Sequence, residues 1–128
     1  MAPSLGNGKI CYIEIPAGDI SSLSAFYATV FGWNVRNRDD GHMAFDDTVG
    51  QVSGTWVAGK PPASEHGLRV YIMVDDMEAT MASVVENGGE IVEGVGAHWP
   101  EITARFRDPY GNLFSLFQEG GREQNQSA

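Results

Sequence analysis

Cysteine is almost missing from this chain of 128 residues: Cys11 is the single one. That excludes a disulfide within the chain and any zinc site built from several thiolates. Cys11 falls in a run that reads as a buried strand, a poor setting for a nucleophile. Positive charge is also scarce, with 8 Lys and Arg against 17 Asp and Glu and a net charge of −9. A phosphate backbone would be repelled by such a surface, so nucleic acid is excluded as a partner. An acidic surface suits cationic small molecules, and it equally suits plain solubility. No apolar run approaches the ~18 residues that span a bilayer, and MAPSLGNGK has no charged region leading into an apolar one. No membrane partner is expected, and the cytoplasm is the default location. Histidine is limited to His42, His66 and His98.

What is present describes a globular domain. The hydrophobic fraction is 42% and the charged fraction 20%, and the length suffices for one core. Ile10, Ile13 and Ile15 mark a strand that stops at Pro16. Asp19 stands where an N-cap belongs, and Ile20, Leu23, Phe26, Tyr27, Val30 and Phe31 follow at helical spacing up to Gly32. Strands are expected at 33–36, 42–46 and 51–58. The same plan recurs: a strand at 68–74, Asp76 as N-cap, a helix with Met77, Met81, Val84 and Val85 as its apolar stripe, and Gly88 and Gly89 at its end. Strands at 90–93, 102–106 and 112–117 complete the second copy. A shift of 57 positions lays Asp19 on Asp76, Gly32 on Gly89, Val35 on Val92 and Gly54 on Gly111.

The fold class is therefore α+β, with two tandem βαβββ modules, 9–58 and 68–118, joined by the turn-rich linker 59–67. The curved sheets are expected to enclose a cleft, with the helices on the outer face. The tail 119–128 has too little apolar content to pack. DPYG, residues 108–111, has a local account as a turn: Pro109 presets φ, Asp108 accepts backbone hydrogen bonds and Gly111 tolerates positive φ.

The stretches IEIPAGDISSLSAFYATVFGW, VYIMVDDMEATMASVVENGGEIV and FRDPYGNLFSLFQ resemble the vicinal oxygen chelate superfamily. That group includes glyoxalases, extradiol dioxygenases, fosfomycin-resistance thiol transferases and bleomycin-resistance proteins. The likeness runs from about Lys9 to Gln118. It implies the two-module fold, and homodimers with or without exchanged modules. In metal-dependent members, His or Glu on the first and last strand of each module hold a divalent ion that binds substrate oxygens. Carried over, those positions fall on Tyr12, Arg69 and Ser115, with the fourth near Thr55 to Ala58. No Asp, Glu or His occurs from 48 to 64, and an arginine would repel a cation. The implied metal site is not expected here and no cofactor is; a divalent ion at a displaced site is the disfavoured alternative to three scattered surface histidines.

Strand alternation assigns Ile13, Ile15, Val70, Ile72, Val74, Phe114 and Leu116 to the helix side. The opposite side then holds Tyr12, Glu14, Arg69, Tyr71, Met73, Leu113, Ser115 and Phe117. Met43, Phe45, Trp56 and Trp99 are further candidates for the same ligand-binding wall. Such an aromatic and sulfur-rich surface suits flat organic molecules; many of these side chains could equally fill a sheet interface. The reading is a metal-independent protein binding an aromatic or cationic compound. The alternative is a glyoxalase-like lyase or isomerase of lactoylglutathione-lyase type, or a dioxygenase-related enzyme. It would use Glu14 as general base and Tyr12 as acid.

Overall fold

The computed structural model describes residues 3–7, 9–38, 42–64 and 68–119. His66 and the tail beyond Glu119 lie outside the described residues. The chain divides into two compact units, Met1–Pro62 and Ala63–Ala128. The first contains β1 (Tyr12–Ala17), α1 (Ile20–Phe31), β2 (Asn34–Asn37), β3 (Met43–Asp46) and β4 (Ser53–Ala58). The second contains β5 (Tyr71–Val74), α2 (Met77–Glu86), β6 (Glu90–Glu93), β7 (Ile102–Arg107) and β8 (Leu113–Gln118). The two sheets are ordered β1-β4-β3-β2 and β5-β8-β7-β6. In each, the first strand pairs parallel with the last and the other pairs are antiparallel. These are two tandem βαβββ modules in an α+β fold. Among the described residues no helix is long and apolar enough to cross a membrane.

Both helices begin as the sequence implies. The Asp19 carboxylate accepts from Ser21 N at 3.2 Å and from Ser22 Oγ at 2.5 Å, and that hydroxyl is the main reason its pKa is lowered. Asp76 Oδ1 accepts from Ala79 N at 3.1 Å, and Gln118 Oε1 takes the Met77 N–H at 2.7 Å. The helix ends differ. α1 stops at Gly32, which adopts φ 73°, whereas α2 stops at Asn87 and leaves the positive φ of 96° to Gly88. Gly89 therefore has a different task from Gly32: a Cβ there would meet Val84 Cγ1 at 2.7 Å and Arg107 O at 2.8 Å.

The shift of 57 fits the N-caps but not the last strands. β4 starts at Ser53 and β8 at Leu113, a shift of 60, because the connection after β6 is longer than the one after β2. Gly54 consequently lies inside β4, whereas Gly111 lies in the turn before β8. The supposed equivalence of these two glycines fails. Cys11 is also not in a buried strand; it is exposed, just ahead of β1.

The two cores differ in kind. Under α1, Tyr27 stacks on Trp33 at 4.7 Å, Trp33 on Phe45 at 4.4 Å, and Phe45 meets Trp56 at 4.9 Å. Each such pair adds about 0.5–1.5 kcal/mol beyond simple burial. Under α2 the core is mostly aliphatic: Met77, Val84, Ala104 and Leu116 are buried around Phe106 and Phe114. The DPYG turn closes the second module. Asp108 Oδ1 accepts the N–H groups of Tyr110, Gly111 and Asn112, each at 2.9 Å. Asn112 Oδ1 in turn accepts from Ala63 N at 2.8 Å, and Leu113 N donates to Ala63 O at 2.9 Å.

Candidate functional site

Strand register fixes which side chains share a face. In module one Tyr12 pairs with Ser53 and Glu14 with Thr55, while Thr55 pairs with Ala44 and Ser53 with Asp46. This face, turned away from α1, is polar and satisfies itself. Arg36 makes two bonds of 2.9 Å to the Asp46 carboxylate, and Ser53 Oγ donates to Asp46 Oδ1 at 2.6 Å. Those two partners, Arg36 first, hold the Asp46 carboxyl well below the usual carboxylate range. Thr55 Oγ1 donates to Met43 O at 2.6 Å. Tyr12 is exposed and its hydroxyl accepts from Arg38 Nη1 at 3.2 Å. Glu14, also exposed, has Lys60 Nζ at 3.9 Å.

Three expected lining residues belong to the opposite face. Phe45 is 1% and Trp56 0% exposed, both inside the aromatic stack under α1. Met43 shares their phase in β3, and its Sδ receives Ser24 Oγ of α1 at 3.7 Å. Alternation along β3 and β4 puts Ala44, Asp46, Ser53 and Thr55 on the free face instead. Met43, Phe45 and Trp56 therefore lie on the helix-covered face, not on the face where the sequence reading placed them.

In module two the alternation read from the sequence is correct. Tyr71 pairs with Ser115 and Met73 with Phe117, while Thr103 pairs with Phe117, Arg105 with Ser115 and Arg107 with Leu113. These residues share the face turned away from α2. A pocket of about 430 Å³ opens there, lined by Tyr71, Met73, His98, Glu101, Thr103 and Phe117. Tyr71 is 49% and Met73 67% exposed. His98 Nε2 lies 3.5 Å from Glu93 Oε1. Leu113 is half-buried beyond the pocket, Arg69 is exposed ahead of β5, and Trp99 stands 60% exposed in the turn before β7.

One feature separates the two faces. Among the described residues, Thr103 Oγ1, Arg105 Nε and Ser115 Oγ are buried without a hydrogen-bond partner. All three lie on this single face of module two. Buried polar atoms are normally paired, because each orphan costs about 1–3 kcal/mol. The fourth such atom, Trp56 Nε1, sits in the core of module one.

The profile of the glyoxalase-like domain family matches residues 12–117. The chain belongs to that family. A glyoxylase-like domain-containing protein of Didymella fabae is 31% identical over 127 residues, covering 91% of this chain and 98% of that protein. Among solved structures, the fosfomycin resistance protein FosX of Listeria monocytogenes superposes with a TM-score of 0.73 at 14% identity, covering 92% of this chain and 98% of its own. TnmS3, an antibiotic binding protein from Streptomyces sp. CB03234, superposes with a TM-score of 0.67 at 22% identity, covering 90% and 98%. At such identities these structures show the shared fold alone; the family match and the 31% identical relative place the chain in the vicinal oxygen chelate superfamily.

In this member of the glyoxalase-like family, the positions that the resemblance assigns to metal ligands do not carry the donor set of a divalent ion. The strand register makes Thr55 the counterpart of Ser115, since Glu14 pairs with Thr55 as Tyr71 pairs with Ser115. The positions that would supply ligands thus hold Tyr12, Thr55, Arg69 and Ser115. They carry no carboxylate or imidazole, and one is a cation. Among the described residues no three His, Cys, Asp or Glu side chains gather closely enough to hold an ion. The residues present do not fit the group.

Thr103 and Arg105 were not among the sequence candidates. The signal was available: in Ile102–Arg107, ITARFR, apolar and polar residues alternate strictly, and the polar set shares its face with Ser115 and Phe117. His98 and Glu101 reach the pocket from the loop between β6 and β7, where no periodicity marks them.

Proposed function

We propose that this chain is a metal-independent small-molecule binding protein of the glyoxalase/bleomycin-resistance type, with its ligand on the free face of module two. The observation that carries this reading is the pocket of about 430 Å³, walled by Tyr71, Met73 and Phe117 over a buried Thr103 hydroxyl that lacks a partner among the described residues. That volume lies within the ~300–1,000 Å³ common for small-molecule sites, and a mostly apolar wall with a few polar groups is their usual composition. A resistance protein and an antibiotic binding protein among the structural relatives support a small organic ligand. The lyase or isomerase alternative would rest on Glu14 and Tyr12, and both already face surface cations, Lys60 and Arg38.

Calorimetry on EDTA-treated protein with a panel of two- and three-ring aromatic compounds tests the reading. Saturable one-to-one binding is expected without added metal, weakened about tenfold, or ~1.4 kcal/mol, by Phe117→Ala. Binding that appears only after zinc, nickel, manganese or iron is added would overturn it, as would no binding across the panel.

A further inference from the structure

We infer that the ligand of module two presents an oxyanion, a carboxylate or ionised phenol on a flat aromatic body, and that Thr103 and Arg105 receive it. The inference rests on the proposed binding role and names the chemistry of its ligand. Thr103 is 8% exposed and lines the pocket, and its Oγ1 has no hydrogen-bond partner among the described residues. Arg105 follows two residues along β7 on the same face, about 7 Å away by strand geometry. Its Nε is buried and unpartnered, and among the described residues no carboxylate pairs with it. Ser115, opposite Arg105 in the register, adds a third buried orphan atom beside it.

An arginine N–H can only donate, and a threonine hydroxyl donates as readily as it accepts. Their common complement is an acceptor, and a charged one suits a guanidinium best. The apolar part of such a ligand would lie against Tyr71, Met73 and Phe117.

Two features argue for a cation instead, and both are weaker. The net charge of −9 acts at long range, but exposed charges are screened within about 8 Å at physiological salt. Glu101 lines the pocket, and Glu93 stands beside its His98. Glu93, the register partner of Arg105, has its carboxylate 3.5 Å from His98, and Glu101 is exposed. Neither provides a buried acceptor awaiting a donor, whereas Thr103 Oγ1 in the pocket wall and Arg105 Nε, just beyond the lining residues on the same face, are buried donors awaiting an acceptor.

The test is a calorimetric comparison of three probes of one shape: 2-naphthoate, 2-naphthamide and 2-naphthylmethylammonium. The naphthoate is expected to bind at least about tenfold more tightly than the ammonium, the size of one charge-assisted hydrogen bond. Arg105→Met should remove that preference while the amide still binds, and Thr103→Val, which keeps the shape of the side chain, should weaken naphthoate several-fold. A preference for the ammonium, or equal binding of all three to the unaltered protein, would overturn the oxyanion assignment and leave the binding role standing. Failure of all three probes to bind would overturn both. The comparison on the unaltered protein decides even if Arg105→Met does not fold.

Discussion

The Asp108 carboxylate holds Asn112 through both of its oxygens: Oδ1 accepts the Asn112 backbone N–H at 2.9 Å, and Oδ2 accepts Nδ2 at 2.8 Å. Asn112 is completely buried, and its remaining side-chain oxygen takes the N–H of Ala63. The turn therefore anchors the first residue of the second unit to the strand that carries Ser115 and Phe117.

Replacing Asp108 with alanine would leave the N–H groups of Tyr110 and Asn112 and the Asn112 side-chain amide without their acceptor, while the Gly111 N–H keeps the Asp108 backbone carbonyl at 2.8 Å. Each buried orphan costs about 1–3 kcal/mol, and water reaching the turn would recover some of it. A loss of roughly 3 kcal/mol is expected from urea denaturation of Asp108→Ala. Asn112→Ala should cost a similar amount by freeing Ala63. A change below about 0.5 kcal/mol in both variants, the range of ordinary surface substitutions, would show that this network does not hold the turn.

Ser115 poses the opposite case. Its hydroxyl is buried, 1% exposed, with no partner among the described residues, so the folded protein already bears a desolvation cost. Ser115→Ala removes the orphan and keeps nearly the same volume. The expected result is a gain of up to roughly 1 kcal/mol in folding stability, seen as a raised denaturation midpoint. A clear loss of stability would mean that the hydroxyl is hydrogen-bonded in solution.

Asp46 gives the pH dependence its sign. Arg36 and Ser53 keep its carboxyl below the ordinary value, so the unfolded chain takes up this proton at a higher pH than the folded protein. The stabilisation is complete above the unfolded value near pH ~4 and fades as pH falls toward the folded value. Arg36 is about half exposed, so screening limits the pair to about 1 kcal/mol or less. Asp46→Asn should lower stability slightly at pH 7 and flatten the decline between about pH 4 and pH 2. Denaturation midpoints of both proteins across that range give the comparison; parallel curves would remove Asp46 from the acid transition.

How much of this was legible depended on the kind of signal. Helix starts were plain because Asp19 and Asp76 each precede an apolar stripe of helical period. The free face of β5 and β8 was equally plain, since YIMV and LFSLFQ lie between residues whose phase the helix side fixes. The phase of β3 and β4 was not. MAFD and SGTWVA carry aromatics that suit either face, and only the stack formed with Trp33 and Tyr27 decides between them. The pocket's loop residues, His98 and Glu101, come together through chain reversal after β6, which no local pattern encodes. That Thr103, Arg105 and Ser115 lack partners is a property of packing, invisible before the strands are paired.

Gly54 tests the corrected phase of β4 directly. A Cβ at this position would stand 2.1 Å from Ile13 O and 2.4 Å from the tip of the Phe45 ring. The carbonyl belongs to the β1 ladder and cannot withdraw without breaking the parallel pairing of Ile13 with Gly54. Glycine is thus required here for close approach, since its backbone angle is ordinary. Gly54→Ala should destabilise the protein by about 1–3 kcal/mol or more, the usual range for overpacking. Phe45→Ala should cost about 3–5 kcal/mol by emptying the same place in the core. If Phe45 lined a ligand wall instead, its truncation would be far less costly and would alter binding of the naphthyl probes. Because the ring packs beneath α1, affinity measured on the folded fraction is expected to stay unchanged while stability falls.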